Sequence, residues 1–195
     1  MYNKTMVKAV VFDCFGVLYG GSTTYFTSLV PDRKQDISDL NNQHDYGFIS
    51  NQEYAERMAE IAGMRPQDVE EVLNTRHVRH PEVFDIVRYA KEQGAKTGLL
   101  TNMGQHMLEH LFTEEELHGG LFDAYIASSD VGVIKPSVEI FRMISEKLGV
   151  EPEHCIMVDD IEANCNGAQL AGMQSVWFAD ATTAASRVRD FLEQP

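Results

Sequence analysis

The sequence reads as an α/β protein built on a parallel β-sheet, and three observations carry that reading. Short apolar runs rich in β-branched residues alternate with helix-length amphipathic segments, the pattern of successive βαβ units. The first run, Val7 to Phe12, is nearly continuous in its apolar character, as in a strand buried on both faces at the centre of such a sheet. The chain has 195 residues, 44% apolar and 24% charged, enough for one real core with room for a modest insertion.

Taken in order, the Val7–Phe12 strand ends at Asp13, and Gly16, Gly20 and Gly21 mark irregular chain after it. From about residue 22 to 80 the chain is polar, with scattered Tyr and His, and its best periodicity is helical. Ser50 to Glu53 forms a capping-box pattern, after which Tyr54, Met58 and Ile61 share one helix face. Val69, Val72 and Leu73 predict a second short helix after Pro66. Beyond Pro81 the rhythm becomes regular. A helix from Pro81 to Gln93, ended by Gly94, precedes a strand from Thr97 to Leu100 that runs into Thr101-Asn102. A helix over about 104–112 and a strand over Ala124–Ala127 follow, then a helix from Pro136 to Leu148 closed by Gly149. The strand Cys155–Val158 meets Asp159-Asp160, a helix runs to Ala171, and the strand Ser175–Phe178 leads to a C-terminal helix.

Charge narrows the function. Thirty Asp and Glu against sixteen Lys and Arg give a formal net charge of −14. That balance argues against non-specific nucleic-acid binding, which depends on cations neutralising phosphates, and equally against an anionic membrane surface. A phosphorylated ligand would therefore need local positive charge, from a lysine or a metal ion. No stretch approaches the roughly 18 apolar residues of a membrane span. Met1 to Thr5 lead into the first strand without a secretory leader, and Cys14, Cys155 and Cys165 show no paired spacing. The expectation is a reducing, cytoplasmic location, in which the Asn3-Lys4-Thr5 sequon means nothing.

The chemistry-bearing residues stand at predicted strand ends: Asp13, Thr101-Asn102, Asp159-Asp160, and Lys135 just ahead of a helix. Open α/β sheets bind ligands outside the carboxyl ends of their strands, so these groups would meet in one crevice. Each alone has a plainer reading. Asp13 fits a helix cap, Thr101-Asn102 a strand-to-helix turn, and Lys135-Pro136 a helix entry with Pro in its first position. Asp159-Asp160 is more telling, because adjacent carboxylates repel unless something cationic binds. Together they suit phosphoryl transfer, which is mostly positioning plus charge neutralisation. Carboxylates bind Mg²⁺, lysine supplies a point charge, and a carboxylate can itself be the nucleophile.

Four stretches extend this pattern: Val11-Phe12-Asp13-Cys14-Phe15-Gly16-Val17-Leu18, then Leu99-Leu100-Thr101-Asn102, then Gly132-Val133-Ile134-Lys135-Pro136 with Glu139-Ile140-Phe141, and last Val158-Asp159-Asp160 with Asn164, Gly167-Ala168 and Gly172-Met173. In this order they resemble the motifs of the haloacid dehalogenase-like (HAD) superfamily, over residues 6–20 and roughly 81–180. The resemblance implies a Rossmann-like, doubly wound parallel sheet of strand order 5-4-1-2-3. It implies a core domain of residues 1–20 and 81–195, with 21–80 as a small helical C1 cap. Asp13 would be the nucleophile that becomes an aspartyl-phosphate. Thr101 and the Asn102 backbone would hold the transferring phosphoryl, beside Phe15 and Gly16, and Lys135 would stabilise nucleophile and phosphate. Asp13, the Phe15 carbonyl oxygen and Asp160 would hold Mg²⁺, with Asp159 as direct or water-mediated support and Asn164 orienting the acidic loop.

One position departs from the pattern. HAD phosphatases typically carry a second Asp two residues after the nucleophile, as general acid and base. This chain has Phe15, which can be neither. General acid–base help is worth roughly 10²–10⁴ in rate. Metal binding survives, since that position contributes its backbone carbonyl. Haloacid dehalogenases also lack this Asp and need no metal, yet they do not generally keep an Asp159-Asp160 pattern. The favoured reading is a Mg²⁺-dependent phosphatase of a small phosphorylated metabolite. The alternatives are a metal-independent 2-haloacid dehalogenase and a catalytically weak module that binds Mg²⁺ and phosphate. His44, His77 and His80 are candidates to replace the missing acid/base. Tyr19, Tyr25 and Tyr46 suit either a pocket lining or the insertion's own core, and His106 and His110, four apart, suit a solvated helix face. Cys14 should point away from the crevice into packing.

Overall fold

A computed structural model describes residues 6–45, 48–103 and 105–193, the side chains of Asp45, Gln105 and His106 apart. Tyr46, the sequon at Asn3 and the His106 side chain therefore lie outside the described residues. The chain divides into two compact units, Tyr19–Arg79 and the remainder, Met1–Leu18 with His80–Pro195.

The larger unit is built on five parallel strands: β1 (Ala9–Phe12), β4 (Lys96–Thr101), β5 (Ala124–Ala127), β6 (Cys155–Asp159) and β7 (Gln174–Trp177). All four residues of β1 are buried, as its apolar run on both faces requires. The sheet runs β5-β4-β1-β6-β7. In chain order this differs from the expected 5-4-1-2-3, because β2 (Tyr19–Gly21) and β3 (His77–Arg79) leave the sheet and pair with each other, antiparallel. Numbering the five sheet strands by themselves gives 3-2-1-4-5, which is 5-4-1-2-3 read from the opposite edge.

Helices cover both faces of the sheet. On one, α8 (Val138–Leu148) and α9 (Glu162–Leu170) bury Ile140, Phe141, Ile144 and Ala168 against Val11, Leu100 and Met157. On the other, α5 (Pro81–Glu92) packs against α10 (Ala181–Leu192) and on β1 and β4. The Pro81 helix ends by Gly94 as expected, whereas Pro136 does not open a helix. Ser137 takes the N-cap of α8 instead, its hydroxyl accepting from the Glu139 amide at 3.4 Å, so the helix starts at Val138.

Among its described residues, the Tyr19–Arg79 unit holds the β2–β3 ribbon, a short 3-10 turn over Pro31–Arg33 and four α-helices: α1 (Ser22–Leu29), α2 (Lys34–Asp45), α3 (Asn51–Ala62) and α4 (Pro66–Thr75). Its start signals act as the sequence predicts. The Ser50 hydroxyl accepts from the Glu53 amide at 3.1 Å, and Pro66 opens α4. Tyr54 and Met58 of α3 share a small core with Phe26, Ile37, Leu40 and Val69. The Tyr54 hydroxyl also donates to the Asn41 side chain at 2.7 Å, tying α3 to α2.

Candidate active site

Asp13 follows the last residue of β1, and its amide donates to the Val158 carbonyl at 2.9 Å. That bond continues the β1–β6 pairing one residue past the strand, so Asp13 and Asp159 are held on neighbouring chains. Lys135 reaches between them, its Nζ 2.6 Å from Asp13 Oδ1 and 2.7 Å from Asp159 Oδ2. All three side chains are buried. Asp159 spends its other oxygen on the protein too: Oδ1 accepts from the Ile161 amide and from Asn164 Nδ2, both at 2.9 Å.

Lys135 itself is placed by Asn102. The Asn102 amide group spans the Lys135 backbone, accepting from its N–H at 2.8 Å and donating to its carbonyl at 3.0 Å. This clamp joins the end of β4 to the loop before α8, and sequence reasoning missed it. Asn102 was assigned through its backbone, and no local signal ties its side chain to a residue 33 positions on. Gly167 in α9 does related work. A Cβ there would lie 2.3 Å from the Pro136 carbonyl oxygen, so only glycine lets the Lys135–Pro136 loop come this close.

Asp160 differs from its neighbour. Its Oδ1 is buried and has no hydrogen-bond partner. Gly16, at φ +92°, makes room for that carboxylate, since a Cβ there would stand 2.2 Å from Asp160 Oδ2. Asp13, Asp159 and Asp160 each bring a carboxylate oxygen into one cluster, all within 4.8 Å of one another. One ammonium therefore faces three carboxylates. Burial pushes the Asp13 carboxyl well above the usual carboxylate range, Asp159 and Asp160 add to the rise, and Lys135 opposes it. Burial, then repulsion from Asp159, pushes Asp160 up to about 6. Burial works against the Lys135 ammonium as well, but the charges of Asp13 and Asp159 outweigh it and hold Lys135 above its ordinary range.

The donor set fits a divalent cation of the hard, oxygen-loving kind: carboxylate oxygens only, negative charge in excess, and one buried oxygen with open lone pairs. Thr101 is buried at the carboxyl end of β4, beside β1 in the sheet. Phe15 lies two residues past Asp13 with its side chain partly exposed. Cys14 is fully buried, as expected, and its thiol is pushed well above its usual range by burial and by Asp13. Two of the three histidines offered as acid/base groups, His80 and His44, hydrogen-bond elsewhere, and the third, His77, lies in β3. His80 Nδ1 lies 2.9 Å from the Val17 carbonyl, and His44 Nε2 lies 2.7 Å from Asn51 Oδ1. Tyr19 is buried in β2, and Tyr25 carries the Arg76 guanidinium over its ring at 3.8 Å.

Comparison with known proteins bears on the family and the fold. A family profile described as haloacid dehalogenase-like hydrolase matches residues 7–172. A phosphoserine phosphatase of Thermus thermophilus is 32% identical over 128 residues, covering 60% of this chain and 50% of that protein. Hexitol phosphatase B of Escherichia coli is 31% identical over 96 residues, covering 49% of this chain and 43% of its own length. The chain thus spans about half the length of the curated relatives it matches. Among solved structures, the L-2-haloacid dehalogenase RSc1362 superposes with a TM-score of 0.71 at 16% identity, over 95% of this chain and all of that one. The HAD family enzyme BT-2542 of Bacteroides thetaiotaomicron, in complex with magnesium and inorganic phosphate, gives 0.58 at 20% identity, over 87% of this chain and 93% of that one. Likeness at these identities speaks for the fold.

Proposed function

The chain belongs to the haloacid dehalogenase-like hydrolases, and from that premise we propose that it is a Mg²⁺-dependent phosphatase acting on a small phosphorylated metabolite. The observation that carries this reading is Asp160. A buried carboxylate oxygen with no partner, in a cluster with two further carboxylates, suits a cation that would take up its open lone pairs. Relatives named as phosphatases support the same substrate class.

Asp13, the Phe15 backbone carbonyl and Asp160 would hold Mg²⁺, while Asp159, engaged with Lys135, Ile161 and Asn164, supports from behind. The ion would neutralise the carboxylates and the phosphoryl oxygens. Asp13 attacks phosphorus and the bond to the leaving oxygen breaks, which leaves an aspartyl-phosphate. Water then attacks the same phosphorus, restoring the Asp13 carboxylate and releasing inorganic phosphate. Lys135, fixed by the Asn102 clamp, keeps Asp13 in place and places positive charge beside the phosphoryl group, with Thr101 and the Asn102 backbone as its hydrogen-bond donors. The Tyr19–Arg79 unit is assigned the role of a cap that selects substrate, from its place in the chain between Asp13 and Thr101. Cys14, Cys155 and Cys165 are free, which suits a reducing cytoplasm.

Phe15 favours a second reading, carbon–halogen hydrolysis, because that chemistry needs no acid at this position. One panel separates the two: phosphate monoesters and 2-haloacids, each with Mg²⁺ and with chelator. The phosphatase reading predicts phosphate release that chelator stops. Halide release in chelator, with every phosphate ester untouched, would establish the dehalogenase instead.

A further inference from the structure

Trp177, the chain's single tryptophan, closes β7 with its side chain 58% exposed. Its indole Nε1 nevertheless donates to the Asp160 backbone carbonyl at 2.9 Å. One residue on, the Phe178 amide donates to the Asp159 carbonyl, also at 2.9 Å. The end of β7 thus grips two consecutive peptides of the acidic loop, one through the backbone ladder and the next through the indole. The two carboxylates on those peptides are held unequally. Asp159 is fixed through its own side chain by Lys135, Ile161 and Asn164, whereas Asp160 Oδ1 has no hydrogen-bond partner. Orientation of the Asp160 carboxylate therefore depends on its main chain, where the indole acts.

We propose that Trp177 is a positioning residue for the cation site: its N–H fixes the Asp160 peptide and so aims the Asp160 carboxylate at the space it shares with Asp13 and Asp159. This inference rests on reading Asp160 as a cation ligand. Outer partners that orient a ligand commonly govern metal affinity by 10- to 100-fold, and the exposure of this indole, open to water, puts the effect near about tenfold. The same exposure means that Trp177→Phe, which keeps an aromatic ring and removes the N–H, leaves the buried core untouched.

The test is calorimetric titration of Mg²⁺ into metal-free wild type, Asp160→Asn, Trp177→Phe and Trp177→Ala, with thermal unfolding of each in chelator. The expected result is binding by wild type, loss of binding in Asp160→Asn, and affinity about tenfold weaker in both Trp177 variants, with Trp177→Phe unfolding in chelator at the wild-type temperature. Trp177→Phe binding as tightly as wild type, while Asp160→Asn does not bind, would overturn the role of the indole and leave the cation site intact. Wild type that takes up no Mg²⁺, or Asp160→Asn that binds it equally well, would remove the site itself and this inference with it.

Discussion

Burying an ammonium between two carboxylates strips water from three charges, and it holds only while every partner is present. Lys135 is that shared partner, 2.6 Å from Asp13 and 2.7 Å from Asp159. Lys135→Met leaves both carboxylates buried without their counter-charge. The expected cost is about 3–5 kcal/mol of folding stability in chelator, read by urea unfolding. A loss near zero would mean that the pair is replaceable by packing alone. Phe15 raises a separate question. If the missing acid/base limits turnover, Phe15→Asp raises the rate on an alkyl phosphate ester by about 10²-fold, measured as phosphate release. An unchanged rate would show that another group already performs the proton transfers. Asp160 brings a pH dependence with it. Its carboxyl is pushed up to about 6, above its unfolded value, so the folded state binds the extra proton. Its stabilising contribution is complete below the unfolded pKa and is lost as pH rises through about 6. Metal-free protein should therefore unfold at a higher temperature at pH 5 than at pH 7, and Asp160→Asn should shrink that difference, the remainder belonging to Asp13, whose carboxyl burial also pushes up.

The elements show which parts of the architecture the residues announce and which they conceal. The Val7–Phe12 run and the alternation after Pro81 together give every sheet strand to within two residues, because strands buried on both faces must be apolar and the caps between them are local. The carboxylates and Lys135 are legible for the same reason: each stands where an apolar run stops. Two kinds of feature escape. The β2–β3 ribbon pairs three-residue strands 58 positions apart, and Tyr19-Gly20-Gly21 carries no strand pattern, so only the partner defines it. Contacts such as the Asn102 clamp on Lys135 and the approach of Gly167 to Pro136 join different elements and leave no trace in local spacing. Gly167→Ala tests the second of these. The added methyl meets a backbone oxygen that must move, so α9 and the Lys135 loop separate. The expected outcome is a loss of about 1–3 kcal/mol in stability together with a fall in phosphate turnover. Full activity would show that the loop tolerates the shift.

At the scale of the whole molecule, a net charge of −14 would have to coexist with the negative ligand that the proposed function requires. The resolution is local: the clustered acids call for positive charge, of which Lys135 supplies one unit and a bound divalent ion would supply the rest. No helix among the described residues is long and apolar enough to cross a membrane. On the proposed reading, the site pairs the Asp13, Asp159 and Asp160 carboxylates, suited to a cation and a nucleophile, with Phe15, which can transfer no proton. If the proposed function holds, Asp13 carries the phosphoryl group between the two halves of a Mg²⁺-dependent hydrolysis. Mass spectrometry of protein quenched in acid during turnover of a phosphate monoester tests it most directly. One phosphoryl group is expected on the peptide bearing Asp13, absent with chelator and absent in Asp13→Asn. Sustained phosphate release by Asp13→Asn, or a wild type that releases halide from 2-haloacids in chelator while carrying no phosphoryl group, would contradict it.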